Sequence, residues 1–228
     1  MRVVDFGCGT GELTAVLHHE LGAKETVGVD SSISMLEKSP TSDGALRFEQ
    51  GDIAAYAARA SEHGAFGVVF SNAALHWVSD HPALFAKLRA MLEPGGQLAV
   101  QMPANFDHPS HAIAAEVARE PAFATAVAGY ERQVPVLQPE AYATLLDKLG
   151  FERQRVRLEV YAHRLASRAE VVEWVKGTLL TQYRARLDDP TYERFLSRYR
   201  ARLFEVLPDA KPYLYPFKRI LLWGRLPL

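Results

Sequence analysis

The sequence predicts a doubly wound α/β fold: a mostly parallel sheet with an antiparallel last strand, elaborated by helical insertions. Three observations predict it. Short apolar runs alternate with stretches of helical periodicity over most of the chain, as strands joined by crossover helices do. Three of those runs lead to an acid: Val3-Val4-Asp5, Thr26-Val27-Gly28-Val29-Asp30, and Leu46 through Asp52. Just after the first acid stand three glycines on alternate positions, Gly7-Cys8-Gly9-Thr10-Gly11, and a helical pattern begins at once. That is a strand, a tight turn and a helix N-terminus, with bare backbone where a ligand can lie close.

The elements follow in order. Val3 to Phe6 is the first strand. Glu12 to Leu21 is a helix, with Leu13, Val16 and Leu17 on its core face and His18-His19 toward solvent. After the second strand, Ile33 starts a helix under a Ser32 cap, and Asp52 caps Ile53-Ala54-Ala55 after the third. Phe66 to Ser71 is strand four, Pro82 to Leu92 a helix stopped by Pro94-Gly95-Gly96, and Gln97 to Met102 strand five. Gln138 to Leu149 is a helix ended by Gly150, Val156 to Arg164 strand six, and Lys218 to Arg225 the last strand. Two stretches exceed this plan. Residues 104–135 carry a helix from Ser110 to Tyr130. Residues 166–216 carry helices over Arg168 to Arg186 and Thr191 to Leu207, then an aromatic loop, Pro212-Tyr213-Leu214-Tyr215-Pro216-Phe217. Insertions over the C-terminal edge of an open sheet build binding sites.

Composition narrows the function classes. The chain has 228 residues, 48% of them hydrophobic, enough for one α/β domain with an elaboration. Its 26 basic and 27 acidic residues nearly cancel, which argues against a broad nucleic-acid footprint. The single cysteine, Cys8, excludes an internal disulfide, fits a reducing cytoplasm and reads as a buried, inert thiol. No apolar run approaches the roughly 20 residues of a membrane span, and no signal peptide precedes the first strand. A cytoplasmic monomer or weak dimer acting on a small molecule is the expectation, with no metal cluster apparent.

The glycine spacing discriminates between ligands. A dinucleotide fingerprint is G-x-G-x-x-G, whereas here the pattern is G-x-G-x-G with Asp5 two residues ahead. Asp30 at the end of strand two suits a ribose, which a nicotinamide site also requires. With Asp52-Ile53 after strand three, these segments resemble class I S-adenosylmethionine-dependent methyltransferases, a Rossmann-like family. The resemblance implies that Gly7, Gly9 and Gly11 give close approach to the cofactor and that Asp5 supports its methionine ammonium. It further implies that Asp30, with Ser31 beside it, binds the ribose. Asp52 and Ile53 read the adenine, and Ser71, with Asn72, offers a carbonyl to the ammonium. Methyltransferases of this class carry one or two helices upstream of the first strand, and only Met1 and Arg2 precede Val3 here.

Further motifs narrow the family. Asn72-Ala73-Ala74-Leu75-His76-Trp77, Gln101-Met102-Pro103-Ala104-Asn105 and Trp174-Val175-Lys176-Gly177-Thr178 are similar to segments of trans-aconitate 2-methyltransferases. This implies methyl transfer from S-adenosyl-L-methionine to a carboxylate of a small tricarboxylic acid. It implies a cofactor-binding domain over 1–165 and 217–228, with 166–216 a helical insertion covering the acceptor site. His76 is the one candidate base, and Trp77, Trp174, Lys176 and Arg184 are candidate acceptor contacts. Arg186, Lys218 and Arg219 are the other cations able to meet an anionic acceptor. Where the family has Leu-Arg-Pro after Gly-Thr, this chain has Leu180-Thr181-Gln182, so one candidate carboxylate clamp is absent. A carboxylate acceptor is ionised at neutral pH and needs no general base. Other small acceptors, or binding of the cofactor without turnover, are the alternatives.

Overall fold

The computed structural model describes residues 1–40, 44–131 and 133–228. Its elements in chain order are β1 (Arg2–Phe6), α1 (Glu12–Glu20), β2 (Glu25–Asp30), α2 (Ile33–Leu36), β3 (Leu46–Gln50), α3 (Ile53–Ala58), α4 (Ala60–His63) and β4 (Phe66–Asn72). A 3-10 turn at Leu75–Trp77 leads to α5 (His81–Ala90), β5 (Leu92–Pro103), α6 (Pro109–Ala118), α7 (Pro121–Ala124) and α8 (Pro139–Lys148). The chain ends with β6 (Arg153–Leu165), α9 (Ala169–Lys176), α10 (Thr181–Arg184), α11 (Asp189–Val206) and β7 (Tyr213–Arg225). Among the described residues the strands form one seven-stranded sheet in the order β3-β2-β1-β4-β5-β7-β6. The β1, β2, β3, β4 and β5 pairings are parallel and β5·β7 is antiparallel, as predicted.

The chain packs as two compact units. The first comprises Met1–Pro103, Pro135–Glu159 and Arg219–Leu228. Its central strands are apolar on both faces, as parallel strands covered by helices must be: Val3, Val4, Phe6, Val27, Val29, Phe66 and Val69 are fully buried. Helix α1 departs from its predicted orientation. Leu13 and Val16 are 44% and 55% exposed, while Thr14 and His18 are buried. The helix leaves a left-handed Gly11 (φ 73), which fixes its phase. In that phase Thr14 Oγ1 donates to Asp5 Oδ2 at 2.6 Å and His18 Nδ1 meets Thr26 Oγ1 at 2.8 Å. Polar contacts to the strands, rather than the apolar stripe, therefore set the inward face, and His18 is not at the solvent.

The second unit comprises Ala104–Val134 and Val160–Lys218. Residues 104–134, read from sequence as part of the cofactor-binding domain, pack here. Val117, Val171, Leu180, Phe195, Tyr199, Leu203 and Tyr215 form a continuous buried core. Arg198–Glu120 and Arg202–Glu116 pairs link α11 to the α6 segment along its rim. Two long predicted helices are broken. Pro121 forces Glu120 into an extended conformation (ψ 142), ending α6 and starting α7. Gly177 ends α9, and the Leu180 amide bonds back to the Val175 carbonyl before α10 begins. The predicted aromatic loop is instead the start of β7: Tyr213, Tyr215 and Phe217 are buried and Leu214 and Pro216 exposed, the period of two of a strand.

Candidate functional site

At the C-terminal edge of β1 the chain turns through three left-handed glycines, Gly7 (φ 72), Gly9 (φ 57) and Gly11 (φ 73). They are glycine for different reasons. A Cβ on Gly7 would stand 2.0 Å from Ala74 Cβ, and one on Gly11 2.3 Å from the Phe48 ring. Only Gly9 has room, with Met35 Cε at 3.5 Å. Thus Gly7 admits the loop after β4 and Gly11 admits Phe48, a residue on β3 that the motif alone does not flag. Phe48 also lies 2.6 Å from a Cβ placed on Gly28, so the ring backs the turn from β2 as well. Ala73, left-handed at φ 57, swings Ala74 toward the turn.

Two acids stand at this turn, and Asp30 holds it. The Gly9 amide donates to Asp30 Oδ2 at 2.8 Å and the Ser32 amide to Asp30 Oδ1 at 2.9 Å. A half-buried carboxylate on β2 thereby fixes the tip of the glycine turn and the entry to α2, next to exposed Ser31. Asp5 is 2% exposed. Burial pushes its carboxyl up to about 6, against the lowering effect of the Thr14 hydroxyl and with help from the Asp30 charge. Cys8 sits in the same turn; burial, with the nearby Asp5 and Asp30, pushes its thiol up to about 12 and makes it inert.

Beyond β3, Asp52 is exposed and caps α3, accepting from the Ala55 amide at 2.8 Å, with Ile53 half-buried beside it. Ser71, buried at the end of β4, donates to the Phe6 carbonyl at 2.8 Å, and Asn72 is exposed one residue on. The edge of the first unit thus gathers Asp5, the glycine turn, Asp30, Ser31, Asp52, Ile53, Ser71 and Asn72 on consecutive strands. The 3-10 turn after β4 carries half-buried His76 and Trp77, 52% exposed, with ring centroids 4.7 Å apart.

One histidine that sequence reasoning passed over holds that turn in place. His81 is buried on α5; its Nε2 meets the Leu75 carbonyl at 3.0 Å and its Nδ1 the Tyr142 hydroxyl on α8. The Tyr142 oxygen also accepts from the Leu137 amide. The arrangement suits a neutral ring that donates to Leu75 and accepts from Tyr142, and burial pushes the His81 pKa down. A histidine at the start of a helix carries no sequence signal for this role, because its partners lie 6 and 61 residues away.

The predicted cations are mostly engaged. In the second unit Lys176 bonds Glu173 at 2.8 Å, and Arg184 bonds Asp189 and lies over Tyr192, its guanidinium carbon 5.1 Å from the ring centroid. Arg186 bonds Gln182 and stacks on Tyr130, and Lys218 pairs with Asp107. Trp174 stands 4.9 Å from His163 and 5.6 Å from Tyr215, in an aromatic cluster with Phe217. In the first unit Arg219 donates to Gln101 Oε1 at 2.8 Å.

A family model described as a methyltransferase domain matches residues 1–156. A trans-aconitate 2-methyltransferase of Deinococcus radiodurans is 44% identical over 227 residues, spanning 96% of this chain and 84% of its own length. The enzyme of that name from Rhizobium meliloti is 38% identical over 211 residues, 91% of this chain and 79% of its own. Among solved structures, the YcgJ protein of Bacillus subtilis aligns with TM-score 0.59 and 16% identity, over 100% of this chain and 92% of that one. Haemonchus contortus phosphoethanolamine N-methyltransferase 2, solved in complex with S-adenosyl-L-methionine, aligns with TM-score 0.53 and 19% identity over 100% of this chain and 49% of that one.

Proposed function

This chain belongs to the methyltransferase-domain family, with trans-aconitate 2-methyltransferases among its relatives, and we propose that it methylates a carboxylate of a small acid such as trans-aconitate, giving a methyl ester. The methyl donor is S-adenosyl-L-methionine. The observation that carries the reading is Asp30. One side chain orders the glycine turn and the α2 entry together, and each of its oxygens keeps acceptor capacity for a ribose hydroxyl. The other residues fit the group as well. Asp5, a buried acid that accepts from the Thr14 hydroxyl and feels the Asp30 charge, suits a neighbouring ammonium. Gly9 leaves space where a side chain would stand. Asp52 and Ile53 meet the adenine, and Ser71 and Asn72 lie toward the ammonium.

When bound, S-adenosyl-L-methionine supplies an activated methyl group on a sulfonium sulfur. The chain's own work is alignment and exclusion of water. A carboxylate acceptor arrives ionised, so no residue has to take a proton. His76 and Trp77 line the acceptor side of the β4 loop, with His76 in a positioning role and proton transfer only for a protonated acceptor. Trp174, Lys176 and Arg184 on the helical insertion, read as spanning 166–216, are the further acceptor contacts of this reading, for which Lys176 must leave Glu173 and Arg184 must leave Asp189. No described helix is long and apolar enough to cross a membrane. The near-neutral charge and lone cysteine support a cytoplasmic protein, a monomer or weak dimer, acting on a metabolite rather than on nucleic acid.

The test is a labelled-methyl assay against a panel of di- and tricarboxylates, alongside calorimetry with S-adenosyl-L-methionine and with NAD. Methyl ester formation on a polycarboxylate is expected. Binding of the methyl donor without transfer to any carboxylate would refute the acceptor, and preference for NAD would refute the cofactor.

A further inference from the structure

The sheet ends in two unlike edges. Among the described residues its outermost strands are β3 and β6. β3 is five residues long, and its charges are engaged within the chain: Arg47 holds Glu49 and also Glu25 on neighbouring β2. β6 is 13 residues long and contains no proline, glycine or lysine. A free edge presents a row of unpaired N–H and C=O groups, and shortness, proline and lysine are the usual means of keeping another strand from pairing with it. β6 uses none of the three.

The pattern of side chains along β6 is as informative as its length. Val156, Leu158 and Val160 stand on one face, and Leu158 and Val160 are 49% and 56% exposed. That is an apolar row at a sheet edge, where an isolated chain leaves it in water. Arg157 and Glu159 stand on the opposite face. Within the chain they approach only to 4.0 Å, the outer limit of an ion pair, so neither charge is well matched by the other.

We propose that a second copy of this chain pairs with β6 edge to edge, antiparallel and centred on Leu158. A two-fold axis through Leu158 sets each residue before it opposite the residue equally far after it in the other copy, so the strand must be complementary to itself. β6 meets that demand. On the apolar face Leu158 meets Leu158 of the second copy, and Val156 meets Val160 on either side. On the other face Arg157 of each copy meets Glu159 of the other, which gives two opposite-charge pairs directly across the strands. Moving the centre one residue either way sets Arg157 against Arg157 or Glu159 against Glu159, so the charges select this register. The new pairs are few and lie near solvent, which makes the dimer weak and sensitive to salt.

The test is sedimentation velocity of the full chain over a concentration series at low and high salt, beside Arg157→Glu, Glu159→Arg and the double variant carrying both. Wild type is expected to form a concentration-dependent dimer that weakens in high salt. Each single reversal sets like charges opposite one another at both pairs and should weaken association by about 10- to 100-fold. The double variant restores opposite charges at both and should recover most of the loss. Leu158→Cys brings a thiol against its own counterpart within disulfide reach and should cross-link under mild oxidation, whereas Arg153→Cys, held far from its counterpart by this register, should not. Because none of these residues belongs to the candidate site, affinity for S-adenosyl-L-methionine and melting temperature are expected to hold in all of them. A wild-type chain that stays monomeric at every concentration overturns the proposal. So does a dimer that ignores the single reversals, or one that the double variant fails to recover, because another surface would then hold it.

Discussion

Replacing Asp5 by asparagine separates the folding cost of this acid from its use. The side chain is buried, it accepts a hydrogen bond from the Thr14 hydroxyl, and its folded pKa lies at about 6 against an ordinary 3.8. The sign follows from linkage. A folded pKa above the unfolded one means the native state binds the proton more tightly, so this contribution to stability is fully present below pH ~3.8 and lost as pH rises through about 6. A difference of ~2 pKa units corresponds to about 3 kcal/mol lost by pH ~8, with about half of it gone at pH ~5. Asparagine keeps an oxygen for Thr14 and never ionises. The ligand-free Asp5→Asn chain should therefore match wild type in urea melting near pH 4 and exceed it by up to about 3 kcal/mol near pH 8. Its affinity for S-adenosyl-L-methionine should fall, because the ammonium loses an anion. A stability difference between the two chains that stays flat over that pH range would refute the reasoning.

Three further outcomes follow from the same geometry. Gly7→Ala meets Ala74 as well as left-handed strain and should cost about 3–5 kcal/mol in a melt, whereas Gly9→Ala meets only the strain, about 1–2 kcal/mol. Gly9→Ala should nonetheless lower affinity for the methyl donor at least about tenfold in calorimetry; full affinity there would show that the space above Gly9 serves nothing. Asp30→Ala removes acceptors for the Gly9 and Ser32 amides and for the ribose, so donor affinity should drop by about 10- to 100-fold; an unchanged dissociation constant would sink the ribose assignment. His81→Phe leaves the Leu75 carbonyl and Tyr142 hydroxyl without their ring and should destabilise by about 2–4 kcal/mol at pH ~8. Because burial lowers the His81 pKa, the wild-type advantage is present above about 6.5 and lost as pH falls through the lower folded value; an advantage that grew in acid would contradict it.

The sequence by itself determined the strand order of chemistry: which runs are strands, which end in acids, and where the glycines must turn. Those features are local, since alternation of apolar runs with helical periods and the φ > 0 demands of Gly7, Gly9 and Gly11 are written in neighbouring residues. Asp5, Asp30, Asp52 and Ser71 were legible for the same reason, as residues at strand ends. Tertiary structure alone decided what each glycine is for, because Ala74 and Phe48 reach the turn from 67 and 37 residues away. It set the phase of α1 through Asp5 and Thr26, leaving Leu13 and Val16 outward against their own periodicity. It also sorted the cations. Lys176 and Arg184 meet carboxylates three and five residues away, partners within local reach of the sequence, whereas the Arg219 bond to Gln101 spans 118 residues and exists only because β5 and β7 pair. A charge declares itself locally, but a distant partner is chosen by the fold.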